Sequence, residues 1–362
     1  MDLLKTLKDL MLTEAVSGYE KKMAYKMKDY FLPYADSVHI DRVGNVIAQF
    51  KGTDATSPKV MIFAHMDQLG FIVRKIEDNG LIQIDRLGGI PEKVLPALQV
   101  SIATIDEQYI EGVIGVKSHH ATSPDEKYTV DPVTSLFIDV GAKKREEVIN
   151  LGIHIGCPVC YKPNFIRLNG TRIAGTAVDN RGGCTALIGL AEKLKTDKPQ
   201  CTIYLVGTVW EEFNLRGAVI AANAIKPDLA ICFDVSLTGD TKELSSRYDT
   251  GLSKGPTVVL YNFHGRGTLN GIIAHKALYN LALKTAENIG SNVQEFASIG
   301  LLTDNSYIQV LNEGIGCLDM GFPVRYTHSP VEMCDINDIE ELIVLVFNMI
   351  KSIDHSFQIK RF

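Results

Sequence analysis

The stretch Val60-Met61-Ile62-Phe63-Ala64-His65-Met66-Asp67 decides the fold. Five consecutive apolar residues read as a strand buried on both faces, the mark of a central strand in an α/β sheet. Similar runs recur downstream at 201–209, 229–233 and 316–320. Helix-length segments lie between them. One follows Asn180 and carries Leu187, Leu190, Ala191 and Leu194; a second fills 271–289 and is stopped by Gly290 in the C-cap role. A last one opens near Asp335 and runs through Leu342, Ile343, Val346 and Ile350. Upstream, Leu3, Leu4, Leu7, Leu10 and Met11 recur at helical spacing, as do Met23, Met27, Tyr30 and Phe31 after Gly18. Strands alternating with helices of this length predict an α/β fold, a mostly parallel mixed sheet with helices on both faces.

From about Phe71 the texture changes. Short alternating runs appear at 71–73, 81–84, 100–103 and 112–116, and Asn79-Gly80 between the first two is a hairpin-turn signal. No long helical period is visible before Pro163. Residues 70–163 are therefore read as a small, barrel-like all-β domain inserted into a discontinuous main domain of 1–69 and 164–362. Oligomer contact is its expected job.

Composition narrows the function. A chain of 362 residues has room for about two domains. Hydrophobic residues at 46% and charged residues at 22% exclude a disordered chain. Lys and Arg total 37 against 43 Asp and Glu, a net charge of −6, which lacks the basic footprint of a nucleic-acid binder. No run reaches the ~18 apolar residues of a membrane span. The opening MDLLKTLKDLML interleaves acid and base among its leucines, so no secretory signal is expected. Seven cysteines, an odd number, fit a reducing cytoplasm.

Chemistry gathers where the buried strands end. His65 and Asp67 follow the first run, Glu211 and Glu212 the second, Asp234 the third, and His328 lies one loop beyond the fourth. In open α/β sheets ligands sit outside the carboxyl ends of the strands. Asp179 joins them from a glycine-rich loop, Gly175-Thr-Ala-Val-Asp-Asn-Arg-Gly-Gly183, that opens a helix. Alone, an HxD tripeptide carries nothing and adjacent glutamates usually mark a solvated face; delivery to one edge is what matters. Five carboxylates there cannot all stay ionised unless cations join them. Two divalent ions bring +4. With Asp179, Glu212 and Asp234 as the carboxylate ligands and one hydroxide, the charge closes to zero. His65 and His328 add imidazole nitrogen, and a mixed nitrogen and oxygen set suits zinc, cobalt or manganese rather than calcium or magnesium.

The motifs AHMDQLGF (64–71), LGG with VLP (87–96), GTAVDNRGGC (175–184), VWEEFNLRGA (209–218), FDVS (233–236) and PVRYTHSPVEM (323–333) span nearly the whole chain. In content and order the chain resembles the glutamyl and leucyl aminopeptidase family of dinuclear metallopeptidases, which includes the tetrahedral aminopeptidases and some historically labelled endoglucanases. The resemblance implies a metal-dependent aminopeptidase acting on peptides. It implies His65 and Asp234 on one metal, Glu212 and His328 on the other, and Asp179 bridging them. The metal positions would lie about 3.5–4 Å apart. Glu211 is implied as general base, and Asp67 as the acid that orients the His65 imidazole. A non-proline cis bond at Asp179-Asn180 and a homo-oligomer, a dodecamer built from dimers, are also implied. Gln68, Asn180, Asn305 and the missing proline-glycine pair after Asp234 depart from the family pattern and bear on substrate preference.

Other signals are weaker. Cys157-Pro-Val-Cys160 lacks two further ligands for a structural zinc and reads as a pair of buried or partly exposed thiols. His119-His120 reads as an exposed loop pair, with a neighbouring subunit's site as the alternative. The glycine-rich Gly265-Arg-Gly-Thr268 follows no clear strand, so no phosphate loop is expected, and Trp210 reads as wall packing. Three competing readings remain open at this stage: a metal-dependent deacylase of the same superfamily, a metal-free glycosidase, and a non-catalytic relative.

Overall fold

The computed structural model describes residues 1–265 and 269–362. Arg266–Thr268, most of the glycine-rich segment considered above, lie outside the described residues. Two helices open the chain, α1 (Leu3–Met11) and α2 (Lys21–Phe31). Asp2 caps α1 by accepting from the Lys5 amide at 2.9 Å. Leu7, Leu10 and Met11 from α1 and Met23, Met27 and Phe31 from α2 are wholly buried, as their helical spacing requires. Then come β1 (Ser37–Ile40), β2 (Val46–Phe50) and β3 (Lys59–His65).

The inserted stretch carries β4 (Gly70–Ile76), β5 (Ile82–Leu87), β6 (Gln99–Ala103), β7 (Tyr109–Ile114), β8 (Phe137–Asp139), the short helix α3 (Arg145–Asn150) and β9 (Pro158–Tyr161). The six strands close into an antiparallel barrel in the order β4-β5-β8-β7-β6-β9. Its core is separate, built on Phe71, Val73, Ile84, Val100, Ile102 and Ile138 among others. The Asn79-Gly80 hairpin joins β4 to β5, with Gly80 at φ +85° where a side chain is disfavoured. Cys157 and Cys160 are buried free thiols; burial pushes the Cys160 thiol up to about 12. His119 and His120 are exposed on a single short turn.

The chain continues with β10 (Phe165–Arg167), β11 (Arg172–Gly175), α4 (Val178–Thr196), β12 (Thr202–Thr208), α5 (Gly217–Ile225), β13 (Leu229–Leu237), β14 (Thr257–His264) and β15 (Asn270–Ile273). It ends with α6 (Lys276–Ile289), β16 (Gln294–Ile299), α7 (Asn305–Ile308), β17 (Gly316–Val324), β18 (Glu332–Asp335) and α8 (Ile336–Lys351). Among the described residues the large sheet has nine strands, ordered β1-β2-β12-β3-β13-β17-β14-β15 with β16 beside β14. Strands β12, β3, β13 and β17 run parallel at its centre, and antiparallel pairs flank them. Successive β3 side chains alternate faces. Val60, Ile62 and Ala64 join the core that includes α4 and α8, while Met61 and Phe63 join the core beneath α5. Helices therefore cover both faces.

The structure corrects three sequence boundaries. The segment 271–289 is not one helix: Asn270–Ile273 pairs antiparallel with β14, and α6 starts at Lys276. Ile272 is buried with its amide on the Asn262 side-chain oxygen at 3.2 Å, a tertiary contact that overrides local spacing. Strand β13 continues through Leu237, so Asp234 lies inside the strand rather than past it. Strand β17 likewise continues to Val324, pairing along the full length of β13. Gly321 opposes Asp234 there, and any Cβ on it would sit 1.6 Å from the Asp234 carbonyl oxygen.

Candidate metal centre

His65 ends β3, Asp234 lies in β13, Asp179 sits at the mouth of α4, and Glu211 and Glu212 follow β12. All reach one place. The His65 Nε2 lies 3.1 Å from Asp179 Oδ1, 4.0 Å from Glu211 Oε2 and 4.0 Å from Asp234 Oδ1. His328, carried beyond β17, places its Nε2 3.7 Å from Asp179 Oδ2 and 3.9 Å from Glu212 Oε1. Three overlapping donor sets result: His65, Glu211 and Glu212; His65, Asp179 and Asp234; Asp179, Glu212 and His328. In each, one atom per residue lies within 4.8 Å of the others. The Asp179-Asn180 peptide bond is cis. Inside the first turn of α4, Asp179 and Asn180 are non-helical, and the Asn180 side chain donates to the Phe233 carbonyl at 2.7 Å and caps the Gly183 amide at 3.0 Å.

Electrostatics match a site built for cations. Burial, reinforced by neighbouring carboxylates, pushes the Glu211 and Asp234 carboxyls well above the usual range and Glu212 up to about 7. Burial alone would lower the two imidazoles, but the surrounding acids outweigh it. His65 is raised well above its ordinary value and His328 to about 9. Asp67 and Asp179 are held low in spite of burial, chiefly by contact with His65. The Glu212 Oε1 is buried without a hydrogen-bond partner. Divalent cations would hold these carboxyls ionised, and the donor set, two imidazoles among carboxylates, fits such ions.

Asp67 touches His65 through both its carbonyl and its carboxylate. The His65 Nδ1 is nearer the Asp67 carbonyl, 3.1 Å, than the Asp67 carboxylate, 3.5 Å. That carboxylate also accepts from the Glu211 amide at 3.1 Å, the Glu212 amide at 3.0 Å and the Ser17 hydroxyl at 2.6 Å.

Sequence reasoning overlooked several supporting groups. Glu332 is buried and accepts from the Asp179 amide at 2.8 Å and the His328 amide at 2.7 Å. Burial and the nearby Asp179 raise it to about 8. An acid four residues after His328 is its only local signal. The barrel also contributes. The Gly89 carbonyl accepts from His328 Nδ1 at 2.7 Å, which leaves Nε2 as the ring nitrogen facing Asp179 and Glu212. Space is tight here: a Cβ on Gly89 would lie 3.3 Å from that Nδ1. Gln68 accepts from the fully buried Arg181 at 2.9 Å and from the Ala15 amide at 3.3 Å, tying the N-terminal loop to α4. Asn305 lies behind the site and donates to Asp319 at 2.7 Å. Trp210 packs against the main core.

Known proteins share this architecture. The aminopeptidase APDkam598 from the archaeon Desulfurococcus kamchatkensis superposes with a TM-score of 0.92 and is 32% identical, over 98% of this chain and 96% of its own. The TET1 peptidase of Pyrococcus horikoshii, which can assemble into a tetrahedron or a large octahedral shell, gives 0.85 at 27% identity, over 97% of this chain and 100% of its own. In sequence, the lysyl aminopeptidase of Pyrococcus furiosus is 33% identical over 344 residues, 94% of each chain. The model of the M42 glutamyl aminopeptidases matches residues 44–345, a span that holds every one of the converging donors. With fold, order of motifs and overall sequence in agreement, the chain belongs to the M42 glutamyl aminopeptidase family.

Proposed function

We propose that this aminopeptidase works through two divalent metal ions held by its own residues. His65 and Asp234 hold one, Glu212 and His328 the other, and Asp179 is shared. The observation that carries this reading is the overlap of the donor sets through Asp179, which belongs to two of the three. When bound, such ions lower the pKa of a water molecule and polarise the scissile carbonyl. Glu211 takes the proton from that water and delivers it to the leaving amine. Asp67 orients the His65 imidazole and fixes the backbone of Glu211 and Glu212, Glu332 fixes that of Asp179 and His328, and Gly89 sets the His328 tautomer. Zinc is the first choice, with cobalt or manganese as alternatives. The substrates are peptides, and a panel of aminoacyl chromogenic amides, assayed after chelation and after reconstitution with each metal, tests the reading. Activity that survives full chelation would sink it; cleavage of N-acylated substrates alone would favour the deacylase.

The barrel is assigned to a second unit, 70–163, between 1–69 and 164–362, with oligomer contact as a role beside its support of His328. A homo-oligomer, a twelve-subunit shell like those of tetrahedral aminopeptidases, is the proposed assembly. Seven free, buried cysteines support a reducing cytoplasm. Among the described residues no helix is long and apolar enough to cross a membrane.

Metal binding should also be visible as stability. In the metal-free protein, Glu212 at about 7 and Glu332 at about 8 keep protons that the unfolded chain sheds near 4.5. His328 at about 9 keeps one that the unfolded chain sheds near 6.5. The folded state thus binds more protons, and its stability falls as pH rises from about 5 to 9. Asp67 and Asp179, held low, act the other way only as pH drops below the ordinary aspartate range. The unfolding temperature in chelator should therefore fall toward pH 9. Metal at 100 times its Kd should restore about 2.7 kcal/mol per site and flatten the slope. A slope unchanged by metal would count against the assignment.

A further inference from the structure

The turn that presents the two glutamates is held by side chains from three distant segments. Past Thr208, the last residue of β12, the main chain leaves the sheet. Its next four N–H groups each find a side-chain oxygen: Val209 on Asn45 Oδ1 at 3.0 Å, Trp210 on Glu20 Oε1 at 3.1 Å, Glu211 on Asp67 Oδ1 at 3.1 Å and Glu212 on Asp67 Oδ2 at 3.0 Å. The turn itself is unfavourable, with Trp210, Asn214 and Leu215 at φ of +60°, +73° and +57°. Non-glycine residues keep such angles only where the surroundings over-determine them. Gly217 closes the turn so tightly that a Cβ would lie 2.1 Å from the Val209 carbonyl oxygen.

We propose that Glu20 is a positioning residue for the reaction: by accepting from the Trp210 amide it fixes the direction in which the next residue, Glu211, presents its carboxylate. This rests on the reading of Glu211 as the general base. Glu20 is buried, at 5% exposure, and the same Oε1 also accepts from the Gly18 amide at 2.8 Å. Burying a carboxylate close to Asp67 is electrostatically costly, and the N–H groups it satisfies explain its place. Three residues upstream, Ser17 holds Asp67, so one short loop before α2 grips both the turn and its other anchor. Glutamine would accept the same two amides without the charge; alanine would accept neither.

The test compares Glu20→Ala with Glu20→Gln in the full metal-loaded protein. Trp210 is the only tryptophan of the chain, so its fluorescence reports the turn directly. Glu20→Ala is expected to lower kcat by ~10–100-fold, the scale of a misplacement near 1 Å, with KM and metal content unchanged. Its tryptophan emission should shift to the red and become more open to acrylamide quenching. Glu20→Gln should restore both readouts. If Glu20→Ala fails to fold, Glu20→Met, which fills the volume without an acceptor, carries the same expectation. Wild-type kcat with unchanged fluorescence in the alanine or methionine variant would overturn the proposal, and so would a glutamine variant as impaired as the alanine one. Glu211→Gln assayed alongside separates the two readings: full activity there removes the base, whereas the fluorescence response does not depend on catalysis.

Discussion

Glu211→Gln is expected to lower kcat by ~10²–10⁴-fold while leaving the fold and the metal content at wild-type levels. The amide keeps the volume and the hydrogen-bonding oxygen but cannot take a proton. Glu211 is suited to that transfer by its surroundings. It lies 4.0 Å from His65 Nε2 and is 11% exposed, so it is nearly dry yet open to the site. Burial, with Glu212 and Asp234 close by, pushes its carboxyl well above the usual range in the protein without metal. The measurement is steady-state kinetics on aminoacyl amides beside elemental analysis of the same preparation. Near-full activity would refute the base assignment; lost activity with lost metal would make Glu211 a ligand instead, an outcome the set of His65, Glu211 and Glu212 allows.

Asp179→Asn should do more damage than any other single change in the ligand set. The Asp179 oxygens face different partners, Oδ1 toward His65 at 3.1 Å and Oδ2 toward His328 at 3.7 Å. Asparagine retains the shape but puts an N–H₂ group against one imidazole and removes the charge shared between both positions. Metal should be lost from both, and activity should fall to background. Affinity should drop by more than the ~10–100-fold that losing an outer hydrogen-bond partner costs. Glu212→Gln, the contrasting variant, should weaken chiefly one position, the one where Glu212 meets His328 and Asp179, because it reaches the other only through the set it shares with His65. Metal per subunit after dialysis, near zero for Asp179→Asn and intermediate for Glu212→Gln, is the diagnostic pattern. Equal content in both variants would refute the shared role of Asp179.

Glu332 and Ser17 show why parts of the site escaped sequence reading. Neither lies in a periodic pattern, and each holds a group far off in the chain. Glu332 reaches back 153 residues to the Asp179 amide, and Ser17 reaches forward 50 residues to Asp67. The misread stretch at 270–273 has the same origin. Its two isoleucines suit a helix or a strand locally, and pairing with β14 decided between them.

What the sequence determined by itself was the set of buried central strands and the chemistry at their ends. Val60–Ala64 is wholly apolar, and such a run is stable only inside a sheet covered on both faces, so His65 had to emerge at the sheet's carboxyl edge. The same local logic delivered Glu211 and Glu212, whereas Asp234 comes from a strand that runs on past it. Tertiary structure alone decided how these groups are aimed. The clamp of Asn45, Glu20 and Asp67 on one turn, the Gly89 carbonyl on His328, and Glu332 between two donor loops each join segments far apart in the chain. Burial is written in the pattern of single residues. A hydrogen bond between distant loops needs both partners at fixed positions, and only the packed core supplies those positions.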